Sequence, residues 1–348
     1  MRAKSIGVAA LILIAAAAAG AAGGYYWLED EFIAPGPALQ TLRVDVEPGM
    51  SVRGVLALLH ARGALERPRG IALYLRLHGR RLTIKAGTYE IRAAASPAEI
   101  VDLLEQGRVV LEALTIVEGS TFAQLRQALS SDTDVVTTLA GKTDAQVMAA
   151  IDRAGEDPEG RFFPDTYRFA ARSTDVEILK LAYASMQRVL GEAWAERAEN
   201  LPLATPYEAL VLASIVEKET GLASERARIA GVFVTRLRQG MRLQSDPTVI
   251  YGLGARYAGE LRTRDLTTDT PYNTYTRLGL PPTPIALPGR EALRAAVNPD
   301  VTGDVYFVAT GAGDGAHHFS KTLEEHNAAV KQYLVRLRQA AATGSAPK

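Results

Sequence analysis

Residues Ser5 to Gly24 carry no charge at all: the stretch SIGVAALILIAAAAAGAAGG is preceded by Arg2 and Lys4 and followed by Tyr25, Tyr26 and Trp27, then Glu29, Asp30 and Glu31. About 20 apolar residues in helical form cross a hydrocarbon layer of ~30 Å, basic residues favour its cytoplasmic side, and aromatic residues favour its interfaces. The pattern predicts a single anchor over residues 1–27, N-terminus cytoplasmic, with the rest of the chain exported. A cleaved signal peptide is the alternative, since Ala19, Ala21 and Ala22 offer an A-x-A site. The run is longer than the usual apolar core of about 7 to 15 residues in such peptides, which favours the anchor.

Composition narrows what the exported part does. The 348 residues are 47% hydrophobic and 22% charged, enough for more than one folded unit. Lys+Arg and Asp+Glu both number 39, so no basic excess points to nucleic acid. There is no cysteine, which removes thiolate nucleophiles, disulfides and Cys-based zinc sites. The five histidines show no HExxH spacing, and TGAGDGA lacks the GK[ST] ending of a phosphate loop. The reading therefore calls for no metal and no cofactor.

Along the chain the fold class reads as α+β. A linker over 28–40 precedes a small module over 41–112: the alternating LRVDVEPG, helices after Ser51 and over Arg67 to His78, a hairpin or bent strand in LTIKAGTYEI, and a helix in SPAEIVDLLEQG. That last helix carries Ser96 as cap, Pro97 in its first turn, Glu99 closing a capping box and Gly107 as stop. A connecting segment over 113–200 includes the turn-rich EGRFFPDTYRF and a long helix from Asp175 to Arg197. Residues 201–338 form the third part, and 339–348 read as a disordered tail.

The third part opens with an unusual helix. Thr205, Pro206 and Glu208 mark its start and Gly221 its stop, around the run EALVLASIVEKET. At ~100° per residue from Ala209, Glu219 falls at about 280°, between Ile215 and Leu212, whereas Glu217 falls near 80°, beside Leu210 and Ser214 at the stripe's edge. Glu219 thus looks into the core face, and Glu217 reads as a solvated flank residue. A carboxylate among aliphatic side chains needs a partner, a cavity or a raised pKa, and the helix C-terminus pushes the pKa the same way. Held protonated near neutral pH, it is equipped to act as a general acid. Pairing with Arg226 or Arg228 is the structural alternative. The next run, SERARIAGVFVTRLRQG, reads as an amphipathic scaffold helix capped by Ser224.

Beyond residue 240 come the polar, aromatic and proline-rich blocks RLQSDPTVIYG, TPYNTYTRLGLPPTPIALPG and HHFSKTLEEHN, with the hydroxyls, amides and flat rings that suit a sugar polymer. Gln244, Asp246, Tyr272, Asn273, Tyr275, Phe319 and Asn327 are the candidate substrate contacts in these blocks. Each also has a local alternative: Asp246 capping a helix, Asn273 holding a turn, His326 and Asn327 bonding nearby backbone.

The blocks ASIVEKET, RLQSDPTVIYG, YNTY, GLPPTPIALPG and YFVA followed by HHFSKTLEEHN, in this order and preceded by KAGTYEI, VEG and FFPDTY, resemble the YceG-like family of endolytic peptidoglycan transglycosylases (MltG). The resemblance implies a single-pass inner-membrane protein with a LysM-like module beside the membrane and a catalytic domain in the periplasm. It implies a polysaccharide lyase that cuts nascent glycan strands and leaves 1,6-anhydro-N-acetylmuramic acid ends, working beside peptidoglycan synthases. The family's catalytic glutamate, the second of its EKET block, falls on Glu219, and its histidine falls on His317, with His318 adjacent. Two other readings remain: an anchored wall-binding protein in which Glu219 is structural, and a hydrolase in which Asp246 or Asp269 activates water.

Overall fold

The computed structural model describes residues 2–342 and is a mixed α+β architecture made of two compact units. Residues up to Glu112, with Arg168–Ser173, form one; Ala113–Tyr167 and the chain from Thr174 form the other.

The first unit contains α1 (Arg2–Ile33), β1 (Leu42–Val46), α2 (Val52–Ala61), α3 (Pro68–Leu77), β2 (Gly87–Ile91) and α4 (Pro97–Glu105). Within α1, Leu11–Ile33 is long and apolar enough to cross a membrane. The helix does not stop where the aromatics end. It runs to Ile33, and Phe32 is buried and stacked on Tyr74 at 4.0 Å, so the first part of the expected linker belongs to this core. β1 and β2 pair antiparallel from Leu42↔Ile91 to Val46↔Gly87, and the alternation of β1 turns Val44 and Val46 inward against Tyr89 and Ile91. Of the hairpin or bent strand expected in LTIKAGTYEI, the structure forms one strand, β2. Gly87, at φ +139°, enters it where a Cβ would lie 2.8 Å from Val109, a conformation and a space that favour glycine. Ser96 and Glu99 form the capping box at the start of α4, as their spacing requires.

Next come β3 (Leu111–Thr115) and β4 (Thr166–Ala170), which pair with each other, and the second unit holds α5 (Phe122–Ser131), α6 (Asp144–Ala150), α7 (Asp175–Ala195), α8 (Pro206–Glu219), α9 (Arg226–Arg238), α10 (Asp246–Leu253), α11 (Thr263–Thr267), α12 (Arg290–Val297), β5 (Tyr306–Ala309), β6 (His317–Ser320) and α13 (Leu323–Ala342). α13 extends four residues into the expected tail; residues 343–348 lie outside the described residues.

α8 is the centre of this unit. Every residue from Ala209 to Val216 is buried, packed among α7, α9 and α12. The wheel predicts one apolar stripe; the structure covers the remaining sector too, because the strap after Thr283 lies along it and the Ile285 amide donates to Ser214 Oγ at 3.0 Å. A helix that is apolar on all sides is a buried one. The same holds for α9, where Ile229–Arg236 are buried throughout, and Ser224 falls inside a 3-10 turn (Ala223–Glu225) instead of capping the helix.

Gly231 on α9 marks the closest approach in this packing: an added Cβ would sit 2.0 Å from the Asp300 carbonyl oxygen. Both partners are backbone, so neither can turn away. Gly231→Ala is expected to lose about 2 to 4 kcal/mol of stability by overpacking, read as a lowered midpoint in thermal or denaturant unfolding. An unchanged midpoint would mean that α9 and this segment do not meet as described.

Candidate active site

α8 begins as its sequence dictates, with Thr205 Oγ1 accepting from the Glu208 amide at 3.2 Å and Pro206 in the first turn. It ends at Glu219; Thr220 is already extended at φ −145°. That break leaves Glu219 on the last helical turn with its backbone fixed by a buried helix. As a residue Glu219 is half-buried.

Facing it is the chain that enters α10. Ser245 is 1% exposed, and its hydroxyl donates to Glu219 Oε1 at 2.6 Å. Ser245 sits at the N-cap of α10, where a serine usually accepts from the helix's own amides, yet it makes no such bond. Its proton is turned outward to the carboxyl group. The backbone around it is held by buried hydroxyls: the Ser245 amide donates to Thr274 Oγ1 at 3.0 Å, Thr248 Oγ1 donates to the Ser245 carbonyl at 2.7 Å, and the two threonine hydroxyls meet at 2.8 Å. Gln244, just before, adopts φ +50°. A non-glycine residue in the left-handed region is uncommon, and here it aims the chain so that Ser245 meets the glutamate.

Two charged groups complete the surroundings. Asp246, exposed at the first position of α10, accepts from the Tyr275 hydroxyl at 2.6 Å, and its charge disfavours a second negative charge on Glu219. Arg236 acts in the opposite sense. It is 6% exposed, donates to the carbonyls of Val305 and Leu243 at 2.6 Å each, and lies over the Tyr306 ring at 5.4 Å. Burial dominates this balance and pushes the Glu219 carboxyl up to about 7, against the Ser245 hydrogen bond that favours the ionised form.

Of the other candidate contacts, Tyr272 is part-buried, its hydroxyl 2.8 Å from Thr283 Oγ1 and its ring set edge-on to Tyr251. Asn273 is 1% exposed and all of its amide is spent locally: Nδ2 donates to the carbonyls of Asp265, Leu266 and Thr268, and Oδ1 accepts from the Tyr275 amide. It holds the loop that carries Tyr275 and is not itself open to a ligand. β6 pairs with β5 from Tyr306↔Ser320 to Ala309↔His317, so His317 and Phe319 share one face and His318 the other. His317 Nδ1 lies 2.8 Å from Glu225 Oε2, and Phe319 lies under the Arg228 guanidinium at 4.3 Å. Asn327 is exposed on α13. The structure therefore joins Glu219 to Ser245, Asp246 and Tyr275 through successive contacts, and gives His317 and Phe319 to a neighbouring cluster on the β5–β6 hairpin.

Glu217 is not a solvated flank residue. Its side chain is 7% exposed and accepts from the Gly289 amide at 2.9 Å, at the start of α12, because the strap over Ser214 covers that sector of α8 as well. Neither arginine proposed as a partner for Glu219 pairs with it: Arg226 approaches Glu217 at 4.0 Å, and Arg228 binds Asp304 at 2.8 Å. Ser245 lies within the block RLQSDPTVIYG, and Arg236 and Glu225 within the scaffold-helix run, but nothing in either stretch singles them out.

The YceG-like family model matches residues 44–332, a span that contains every residue of this site. The chain belongs to the YceG-like family. Among relatives, the endolytic murein transglycosylase of Bacillus subtilis (strain 168) is 29% identical over 311 residues, covering 84% of this chain and 85% of the relative. The protein of the same name from Streptococcus pneumoniae serotype 2 (strain D39) is 29% identical over 284 residues, and the match spans 51% of that protein's length and 72% of this one. A crystal structure of a yceG-like protein from Listeria monocytogenes superposes with a TM-score of 0.51 at 27% identity, covering 84% of this chain and 99% of that one.

Burial of Glu219 in this YceG-like fold has a thermodynamic consequence of definite sign. Its folded pKa, about 7, lies above the ordinary 4.5, so the stability it contributes is fully present below pH 4.5 and is lost as the pH rises through 7. Glu219→Gln removes that loss. The variant is expected to be more stable than the native protein at pH 8 than at pH 4 by roughly 2 to 3 kcal/mol, read from chemical denaturation at both values. A difference independent of pH would place the carboxyl in ordinary solvent.

Proposed function

We propose that this protein is an endolytic lytic transglycosylase that cuts peptidoglycan glycan strands between N-acetylmuramic acid and N-acetylglucosamine, leaves 1,6-anhydro-muramyl ends and so limits strand length. The observation that carries this reading is Glu219 at the end of a buried helix, with its carboxyl raised to about 7 and one oxygen engaged by Ser245. The names of the relatives support the substrate class.

Ser245 donates to Oε1, so the proton of the neutral carboxyl resides on Oε2. Glu219 Oε2–H then protonates the bridging oxygen as the bond to muramyl C1 breaks. Positive charge builds at C1, and the exposed Asp246 carboxylate, positioned by the Tyr275 hydroxyl, offsets it. Glu219, now ionised and still steadied by Ser245, takes the proton from the C6 hydroxyl as that oxygen closes on C1. One C–O bond breaks, one forms, and no water is consumed, so the paired carboxylates of a glycosidase are not needed. Gln244, Tyr272, His317, Phe319 and Asn327 are the proposed flanking contacts; Asn273 acts through the Tyr275 loop.

A hydrolase is the second reading, favoured by one feature: Asp246 is a second carboxylate within electrostatic reach of Glu219. Asp269 fits that role less well, because Arg277 grips it at 2.8 and 3.0 Å and holds its carboxyl down to about 2. A purely structural Glu219 is the reading under which the protein only binds the wall.

In this proposal α1 is a retained inner-membrane anchor with a cytoplasmic N-terminus, the chain beyond it is periplasmic, the first unit after α1 is the LysM-like module, and glycan synthases are the neighbours that supply the strands.

Mass spectrometry of peptidoglycan digested by the full-length protein separates the readings. Anhydro-muramyl ends that disappear in Glu219→Gln are expected; reducing ends instead would indicate the hydrolase, and unchanged glycan the binder. The pH profile gives a second check. kcat/KM is expected to fall above about pH 7 as the Glu219 acid ionises, and Ser245→Ala, which removes the hydrogen bond favouring the carboxylate, moves that limb to higher pH. A limb that stays in place would leave Ser245 with no part in tuning the acid.

A further inference from the structure

The first unit offers a surface that catalysis does not use. Tyr25 and Trp27 lie two residues apart on α1, ~3 Å along its axis at 1.5 Å per residue. Yet Tyr25 meets His78, one residue past the end of α3, at 3.1 Å, while Arg67, one residue before its start, lies over the Trp27 ring at 5.3 Å. Arg67 also reaches Glu31 at 3.4 Å, and Tyr74, in the middle of the run, stacks on Phe32, so contacts along α3 do not progress in step along α1 and α3 lies across it. If α1 runs along the membrane normal, α3 runs along the membrane surface.

The side of α3 that faces back along α1 is apolar and open. A cleft of about 1590 Å³ is lined there by Ala21 and Gly24 of α1, Leu56 of α2, and Leu73 and Leu77 of α3. Leu73 is 47% and Leu77 59% exposed; four residues apart, they stand on one helical face, with Arg69 a turn before them. Ala21 and Gly24 belong to the uncharged run itself, so these leucines stand at the depth where the anchor leaves the hydrocarbon layer. Arg53 and Arg69, both exposed, line the same cleft. Isolated exposed leucines need no explanation on a soluble surface. Two of them beside the emerging anchor, rimmed by guanidinium groups, have the chemistry of an interfacial helix: apolar side chains in the leaflet and arginines at the phosphates.

We propose that the Leu73/Leu77 face of α3 is a phospholipid-binding surface that enters the leaflet beside α1, with Arg53 and Arg69 at the headgroups. The inference rests on reading α1 as a membrane anchor. It makes the first unit a body seated on the membrane in one orientation, where an anchor followed by a flexible linker would leave it free to turn.

The chain has no cysteine, so single cysteines can be placed and spin-labelled without background. Leu13→Cys (in α1), Leu73→Cys, Leu77→Cys and Leu39→Cys, the last at a 98% exposed position of the same unit, are each introduced into the full-length protein. The labelled proteins are placed in vesicles of phosphatidylcholine and phosphatidylglycerol, and the accessibility of the label to oxygen and to a water-soluble nickel chelate is measured. The ratio of oxygen to nickel accessibility is expected to be several-fold higher at 73 and 77 than at 39, approaching that at 13. Aqueous values at 73 and 77 with a lipid value at 13 overturn the inference and leave the anchor standing. An aqueous value at 13 overturns the anchor reading and this inference with it. Low accessibility to both reagents at 73 and 77 means that protein, such as a second copy, covers the face, and also overturns it.

Discussion

The hydrogen bond from Ser245 to Glu219 joins the two halves of the site, and most of the second unit can be understood as what holds it. On one side stands α8, whose burial from Ala209 to Val216 fixes the direction in which its last turn points. On the other stands a loop locked by Thr248, Thr274 and the left-handed Gln244. The energetic conflict is local: burial favours the proton on Glu219, while the Ser245 hydroxyl and the Arg236 charge favour its departure. A group balanced in this way sits near neutrality, the condition for giving up and recovering a proton in one turnover.

The same logic separates the two glutamates of one helix. Glu217 and Glu219 are both crowded by protein, but Glu217 has an acceptor's task, receiving the Gly289 amide where α12 begins. Burial raises its carboxyl as well, and the Gly289 amide at the start of α12 works against that rise. Glu219 is met by a hydroxyl donor instead. Glu159 is a third carboxyl of this kind, 5% exposed and also raised to about 7, but it takes the Phe122 amide and the Tyr251 hydroxyl and has no open edge. Burial alone therefore does not set Glu219 apart; its half-buried place beside Ser245 and Asp246 does.

Much of this was legible from residue order, because local rules dominate there. Capping residues mark α4 and α8, and 3.6-residue periodicity alone places Glu219 among aliphatic side chains. What was not legible came from segments distant in sequence. The strap that covers Ser214 buries the sector assigned to solvent and with it Glu217; Asn273 proves to be a loop brace because three carbonyls converge on its amide; Glu225 is drawn away from capping α9 by His317. Arg236 reads in sequence as one residue of an amphipathic scaffold helix, and it is buried because two carbonyls of other segments reach it.

The central claim is that Glu219 holds its proton near neutral pH in the resting protein, and infrared difference spectroscopy addresses it without any substrate. The carboxylic C=O stretch present in the native protein and absent from Glu219→Gln, followed across a pH titration, isolates this one group from Glu159 and the rest. The account predicts a band that disappears with a midpoint near 7. A midpoint near the ordinary 4.5 would contradict it.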